Sequence, residues 1–380
     1  ININSMHIAL FFTYEISAKD WLVSGLLSRE IELYRQILNK TDIKFTFVTY
    51  GSDEDIEILS EFKKINVIPV GKYIKSRNKT VKFIQSLFIP FRIKKELKNI
   101  DLMKTNQLMG SWIPIILKLL LKKPLIIRTG YDLLDFSVKE KKSMLKILFN
   151  YLLTLFSLLF SDKYFVSSTN DLLNLNKKFS LIKNKTIELR PNWVNIPKKM
   201  NNIMGRKKER ILMVGRLEDQ KNYQNVIKNL SGSELVLDIV GEGKLKKDIA
   251  NFGQKNNVEI HFLGTLDHKV LLEKYGEYKF YVLYSKFEGH PKTLLEAMSQ
   301  GCVPLVLKSQ NVMEVVEHKT TGVILESENE SLNKWIKYLN EDNNEFKKIS
   351  MNARSLVVNT FSLEKSLNVE LQDYNDLINK

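Results

Sequence analysis

Two series of short apolar runs, each run followed by a stretch of helical spacing, occupy this 380-residue chain one after the other. The first series contains "MHIALFF", "IKFTFVTY", "INVIPV", "DLMKTN", "PLIIRTG" and "KYFVSS". Between them lie helical stretches such as "GLLSREIELYRQIL", with Leu26, Leu27, Ile31, Tyr34 and Leu38 on one face. The second contains "RILMVGRL", "LVLDIVGEG", "VEIHFLG", "KFYVLYSK" and "CVPLVL", again with helices between. Short apolar strands separated by helices mean βαβ units and a parallel sheet. The stretch 189–210, with two prolines, four asparagines and a basic run, reads as a linker. The pattern therefore predicts two doubly wound α/β domains in tandem, over 1–198 and 199–358, with a terminal helix over 359–380. The chain's length agrees, being long for one core. Open parallel sheets bind ligands beyond the carboxyl ends of their strands. With two such sheets, the cleft between them is the expected site.

Charge divides the same two halves. The net charge is +15, and residues 1–200 hold 33 Lys and Arg against 18 Asp and Glu, whereas residues 201–380 hold 25 of each. A basic half implies an anionic partner: a phosphate-bearing acceptor, an anionic membrane surface or nucleic acid. Neither an aromatic-interleaved basic sheet nor a recognition-helix pattern accompanies it, which argues against nucleic acid. The single cysteine, Cys302, excludes an intramolecular disulfide and suits a reducing, cytoplasmic compartment. No charged, apolar and cleavage regions follow one another at the start, so no secretory signal is expected. The apolar segment 143–162 carries Lys146, Asn150, Thr154 and Ser157 at spacings of four, four and three, a polar stripe that predicts a domain helix rather than a membrane span. The segment 81–99 mixes aromatic and aliphatic residues with Lys82, Arg92, Lys94, Lys95 and Lys98. It reads either as an ordinary amphipathic helix or as one lying on an anionic membrane.

Each strand end of the second half carries polar or glycine-rich residues. "ILMV" leads to Gly215, Arg216 and Lys221; "YVLY" leads to "SKFEGHPK". Arg216 and Lys221 offer a fork and a point charge near a helix start, which suits a diphosphate. Pro291 fits the first helical position, placing Glu288 on the loop and Glu296 about a turn and a half inside the helix. Gly289 allows close backbone approach. The amides of Lys292 and Thr293 belong to the first turn, where helix N–H groups lack intrahelical partners. One loop thus combines a carboxylate suited to sugar hydroxyls, amides suited to phosphate and a deeper carboxylate suited to a ribose diol.

"FEGHPKTLLEAMSQGCVPLV" resembles the E-x7-E signature of the retaining family-4 glycosyltransferases (glycosyl transferase group 1), "VGRLEDQKN" their GRL…KN motif, and "IVGEGKLKKDI" the glycine turn after the next strand. The resemblance covers about 210–325. It implies the GT-B fold, two facing Rossmann-like domains with a nucleotide-diphosphate sugar as co-substrate and no metal or other cofactor. It assigns the diphosphate to Arg216 and Lys221, the donor sugar to Glu288 and the ribose to Glu296. The Lys292 and Thr293 amides face diphosphate and ribose, Gly264 lies near the base, and His290 is placed for a sugar contact. In the first domain Gly25 of the Ser24–Gly25 pair falls at the family's Gly-Gly turn near the phosphates. Arg128 stands where many members carry a histidine, and its guanidinium, always protonated, cannot act as a base. The expected function is sugar transfer to an acceptor hydroxyl in lipopolysaccharide, polysaccharide or glycolipid assembly, on a glycan or lipid-linked acceptor, with an epimerase or sugar phosphorylase of the same fold as alternatives. The expected location is the cytoplasm, with the inner face of the plasma membrane as a further contact suggested by the basic first half.

Two patterns point elsewhere. "DED", 53–55, formally matches a metal-binding D-x-D, yet acids there also favour a helix start. "GEGK" lacks the third glycine of a dinucleotide fingerprint.

Overall fold

The computed structural model describes residues 6–182, 186–197 and 200–378. The chain forms two compact units, Ile1–Arg190 with Leu367–Lys380, and Pro191–Ser366. The boundary expected at 198/199 lies outside the described residues, because it falls on Lys198 and Lys199.

Among the described residues the first unit holds a seven-stranded sheet of order β3-β2-β1-β4-β5-β6-β7. Its strands are β1 His7–Phe11, β2 Lys44–Thr49, β3 Ile65–Pro69, β4 Leu102–Thr105, β5 Leu125–Arg128, β6 Lys163–Val166 and β7 Ile187–Leu189. All pairs are parallel. Helices cover both faces, so central strands such as β1 and β4 are buried almost throughout and read as continuous apolar runs. The second unit holds a six-stranded parallel sheet of order β10-β9-β8-β11-β12-β13. Its strands are β8 Lys207–Val214, β9 Val236–Val240, β10 Ile260–Gly264, β11 Tyr278–Leu283, β12 Val303–Leu307 and β13 Val323–Leu325. The edge strands β7 and β13, three residues each, were not visible as apolar runs.

The linker reading of 189–210 is corrected on two counts. Ile187–Leu189 completes the first sheet. Val194 forms a parallel bridge with Ser362 and exchanges backbone hydrogen bonds with Phe361 and Leu363, so this stretch packs into the second unit.

The last helix, Leu363–Ile378, supplies the end of the chain to the first unit through charge. Lys104, wholly buried, pairs with Glu370, which also accepts from Tyr374. Burial, the leading cause, holds the Lys104 ammonium below its usual range; Glu370 opposes this and Arg128 adds to it. Asp373 accepts from Lys163 (2.7 Å) and from Arg190 Nε (2.7 Å).

The Asp53–Asp55 triplet has a structural role. Buried Asp55 accepts the Ala18 and Lys19 amides at 3.1 Å each, capping the helix Ala18–Val23 from outside. Glu54 pairs with Lys19 on the surface. Cys302 is buried, and its thiol, pushed up to about 12 by burial, donates to the Tyr275 carbonyl.

Candidate active site

Strand order reverses between β8 and β11 in the second sheet, so the loops leaving these neighbouring strands diverge and open a crevice at their carboxyl ends. The β8 loop runs through Gly215 and Arg216 to a single 3₁₀ turn, Asp219–Lys221. Lys221 therefore ends a turn rather than opening the helix. Asn222 separates them, in left-handed conformation at φ 58°, before the helix Tyr223–Leu230. The β11 loop is tied to this turn. Lys286 N–H donates to the Gln220 carbonyl (2.9 Å), Gln220 Nε2 donates to the Phe287 carbonyl (2.8 Å), and Lys286 pairs with Asp219. These ties bring Lys221 Nζ to 2.5 Å from Glu288 Oε1, with side chains only 16% and 11% exposed. Asn311 holds the Glu288 carbonyl at 3.0 Å. Tyr223 OH donates to the Gly215 carbonyl at 3.1 Å; burial first, then the charge of Glu288, raise its phenol above the ordinary range. Sixty-seven residues apart, a cation and a carboxylate thus share one point of the sheet edge.

Glycines make room along that edge. A Cβ on Gly215 would lie 2.9 Å from Lys221 Cε, and one on Gly241 would lie 2.1 Å from the Gly215 carbonyl oxygen. Gly215 N–H donates to Val240 and Gly241 N–H to Gly264, so Gly215, Gly241 and Gly264 close the ends of β8, β9 and β10 in a row. Gly264 ends β10, with Glu242 Oε1 beside it.

The helix after Glu288 spans Lys292–Ser299. Pro291 is its N-cap, in extended conformation, one position earlier than expected, and no side chain caps the helix. Gly289 and His290 form the approach. Thr293 Oγ1 accepts from Tyr281 OH at 2.9 Å. The Tyr281 phenol lies well above its ordinary range through burial, reinforced by the charges of Glu288 and Glu296. Lys292 Nζ lies 5.0 Å from the centre of the Trp193 ring.

Two of the residues expected to meet the ligand have partners within the protein. Glu296 is one. It is 1% exposed, with Oε1 2.9 Å from His268 Nε2 and Oε2 3.3 Å from Tyr275 OH. Position 296 on the helix points into the packing against the helix His268–Tyr275 rather than along the sheet edge. His290 is likewise buried. Its Nδ1 accepts the Asn192 amide, its carbonyl accepts from Asn192 Nδ2 at 2.6 Å, and its ring packs on Phe361. It anchors the residues that follow β7.

Arg216 remains accessible, its side chain 73% exposed beside Glu218 at 3.3 Å. Gly25 and Arg128 belong to the first unit. Gly25, at φ 69°, forms the left-handed turn after the helix Ala18–Val23, its preceding Ser24 donating to the Asp20 carbonyl at 2.6 Å. Arg128 ends β5, next to Tyr34 and Lys104. Sequence reasoning missed His268, Tyr223, Asn311 and Asn192. His268 stands 28 positions from Glu296, a spacing that carries no ligand pattern, and the others act through contacts between distant strands and loops. Among the described residues no group of three or more His, Cys, Asp or Glu side chains is placed to hold a metal ion.

Two parallel, doubly wound units of this kind define the GT-B fold. The chain superposes on Anabaena HepE in complex with UDP and glucose (TM-score 0.74, 14% identity, 98% of this chain and 100% of that one). It also superposes on sucrose-phosphate synthase from Thermosynechococcus elongatus (0.79, 16%, 98% and 99%) and on the lipopolysaccharide outer core galactosyltransferase WaaB (0.67, 17%, 97% and 99%). Residues 198–356 match the family described as glycosyl transferases group 1. This stretch is therefore a group 1 glycosyl transferase domain, and the protein is a glycosyltransferase. No curated protein sequence matches the chain.

Proposed function

We propose that the protein is a retaining glycosyltransferase that takes a sugar from a nucleoside-diphosphate donor held by the second unit and passes it to a hydroxyl of a glycan or lipid-linked acceptor. The observation that carries this reading is the Lys221–Glu288 pair at the strand-order reversal, with Arg216 exposed on the same loop. Arg216, Lys221 and the first-turn amides of the helix Lys292–Ser299 place positive charge where a leaving diphosphate needs it. In this reading they serve in place of a metal ion, and no other cofactor takes part. The bond from the anomeric carbon to the phosphate oxygen breaks, and its electron pair stays on the phosphate. The acceptor hydroxyl attacks the same face and gives its proton to that phosphate oxygen, so configuration is retained. Glu288 orients the donor sugar and tempers Lys221. Glu296, bonded to His268 and Tyr275, acts from behind by fixing the helix that carries the amides. Gly264 borders the base. We assign the acceptor to the first unit, where Arg128 and Gly25 lie. Two similar structures, HepE with UDP and glucose and the lipopolysaccharide outer core galactosyltransferase WaaB, favour a uridine nucleotide and a lipopolysaccharide-type acceptor.

Incubation with a panel of nucleotide sugars, with and without polysaccharide and lipid-linked acceptors, tests this by following release of nucleoside diphosphate and the anomeric configuration of the product. Acceptor-dependent release with a retained linkage is the expected result. Release of free, epimerised sugar without acceptor would mark an epimerase, and a requirement for inorganic phosphate would mark a phosphorylase.

A further inference from the structure

The helix Met144–Phe160 buries Leu153 and Leu158 in the core together with most of its polar stripe, and still carries a second apolar line. Asn150, Thr154 and Ser157 are buried, Asn150 Nδ2 donating to Ser137 Oγ (2.5 Å) and Ser157 Oγ bonding Ser111 Oγ (2.9 Å). That second apolar line faces outward. Leu145 is 80% exposed, and Leu148, Leu152, Phe156 and Leu159 are each more than a third exposed. The spacings of three, four, four and three put these five on one line about 21 Å long. The neighbouring helix Lys79–Leu87 extends the surface. It meets Met144–Phe160 through Phe83 and Phe149, whose rings lie edge-on at 5.4 Å, and it exposes Ile84 and then Phe88 just past its end. Globular proteins rarely leave a contiguous apolar strip of this size uncovered.

Its surroundings identify what covers it. Lys139, Lys141, Lys142 and Lys146 cluster at the amino end of the strip, all exposed, with Lys139 paired to Asp135 and Lys142 to Glu140. Residues 72–98, which contain the helix Lys79–Leu87, hold nine Lys and Arg and one acid. A second copy of the chain would bring the same cations against these. The five side chains of the strip offer no hydrogen-bonding group to a protein partner, whereas interfaces between proteins combine apolar cores with polar pairing. Apolar contact edged by lysines fits an anionic bilayer, with the helix lying in the headgroup boundary. Among the described residues no helix is long and apolar enough to cross a membrane. We propose that the first unit docks on an anionic lipid surface through the outward face of Met144–Phe160, with Ile84 and Phe88 beside it. The basic segment 81–99 is then one flank of this surface rather than the element that defines it.

Flotation with vesicles of phosphatidylcholine alone or with phosphatidylglycerol tests the proposal. The wild-type chain should rise with the anionic vesicles, less with neutral ones, and less at high salt, which screens the lysines. Leu148→Glu with Phe156→Glu should lower the partition coefficient by about tenfold or more while the melting temperature holds. A fluorophore sensitive to polarity, attached at Leu152→Cys, gives a second readout, because the native Cys302 is buried from labelling. Its emission should shift to the blue on adding anionic vesicles. Wild-type protein that stays in solution, a double variant that floats like wild type, or an unshifted fluorophore would each overturn the proposal. So would a wild-type dimer in sedimentation that the double variant breaks, which would assign the face to a second copy. These readouts need no glycosyl transfer, so they stand or fall apart from the reaction assigned above.

Discussion

Replacing Glu288 by Gln separates nucleotide binding from turnover. In the structure Lys221 Nζ is 2.5 Å from Glu288 Oε1 and both side chains are largely shielded. A diphosphate oxygen bonded on the other side of Nζ would sit about 3 Å from it. Carboxylate and phosphate charges would then be about 5.5 Å apart. With an effective dielectric constant between about 20 and 80, they repel by about 0.8 to 3 kcal/mol. Glu288→Gln removes that repulsion, keeps the shape of the side chain and leaves Lys221 charged. The nucleoside diphosphate should bind about 4- to 150-fold tighter. Turnover should fall by about a hundredfold, because in the reaction proposed above Glu288 orients the donor sugar. Isothermal titration with UDP, GDP and ADP measures the first effect, and initial rates under saturating donor measure the second. Weaker or unchanged binding in a variant of normal melting temperature would refute the argument, since Glu288 would then be positioning Lys221 rather than competing with the phosphate for it.

Arg216→Ala should cut turnover by orders of magnitude and leave the melting temperature nearly unchanged, because its side chain is exposed and its pairing with Glu218 contributes little. Gly215→Ala should reduce donor binding more than stability, since the new methyl pushes on Lys221 Cε; calorimetry beside titration checks this. His268→Ala removes a partner of buried Glu296 and should cost about 1–3 kcal/mol in denaturant unfolding. Asp373 gives a pH signature. Burial would raise its carboxyl, but hydrogen bonds from Arg190 and Lys163 outweigh burial and hold it below the usual carboxylate range. A depressed folded pKa adds stability that is present above the unfolded value, near about 3.9, and disappears as pH falls through the folded value. The melting-temperature gap between wild type and Asp373→Asn should therefore be constant near neutrality and close below about pH 4.

Much of the fold was legible because buried parallel strands are apolar on both faces. Runs such as "MHIALFF" and "KFYVLY" announced β1 and β11 without any partner being known. The edge strands β7 and β13 escaped because three residues, paired on one side only, leave too short a run. At the site, sequence placed Lys221 and Glu288 at strand ends, but their contact depends on β8 lying next to β11, and strand order is not written in any local pattern. The spacing of Glu288 and Glu296 suggested one shared ligand. It could not reveal that position 296 is turned toward His268 and Tyr275, because helical periodicity fixes relative and not absolute orientation.

The sequence by itself determined the two α/β units, the polar and glycine-rich strand ends of the second and the concentration of positive charge in the first, since these follow from residue types and their local spacing. Tertiary structure alone decided which of those groups meet and which faces look outward. The helix Met144–Phe160 shows the difference. Its amphipathic pattern was plain in the chain, and the usual inference would have buried the leucines. Asn150 and Ser157 instead find hydrogen-bond partners in Ser137 and Ser111, and those specific pairings, made across 13 and 46 positions, turn most of the polar stripe inward beside Leu153 and Leu158 and leave a second apolar line, Leu145 to Leu159, exposed.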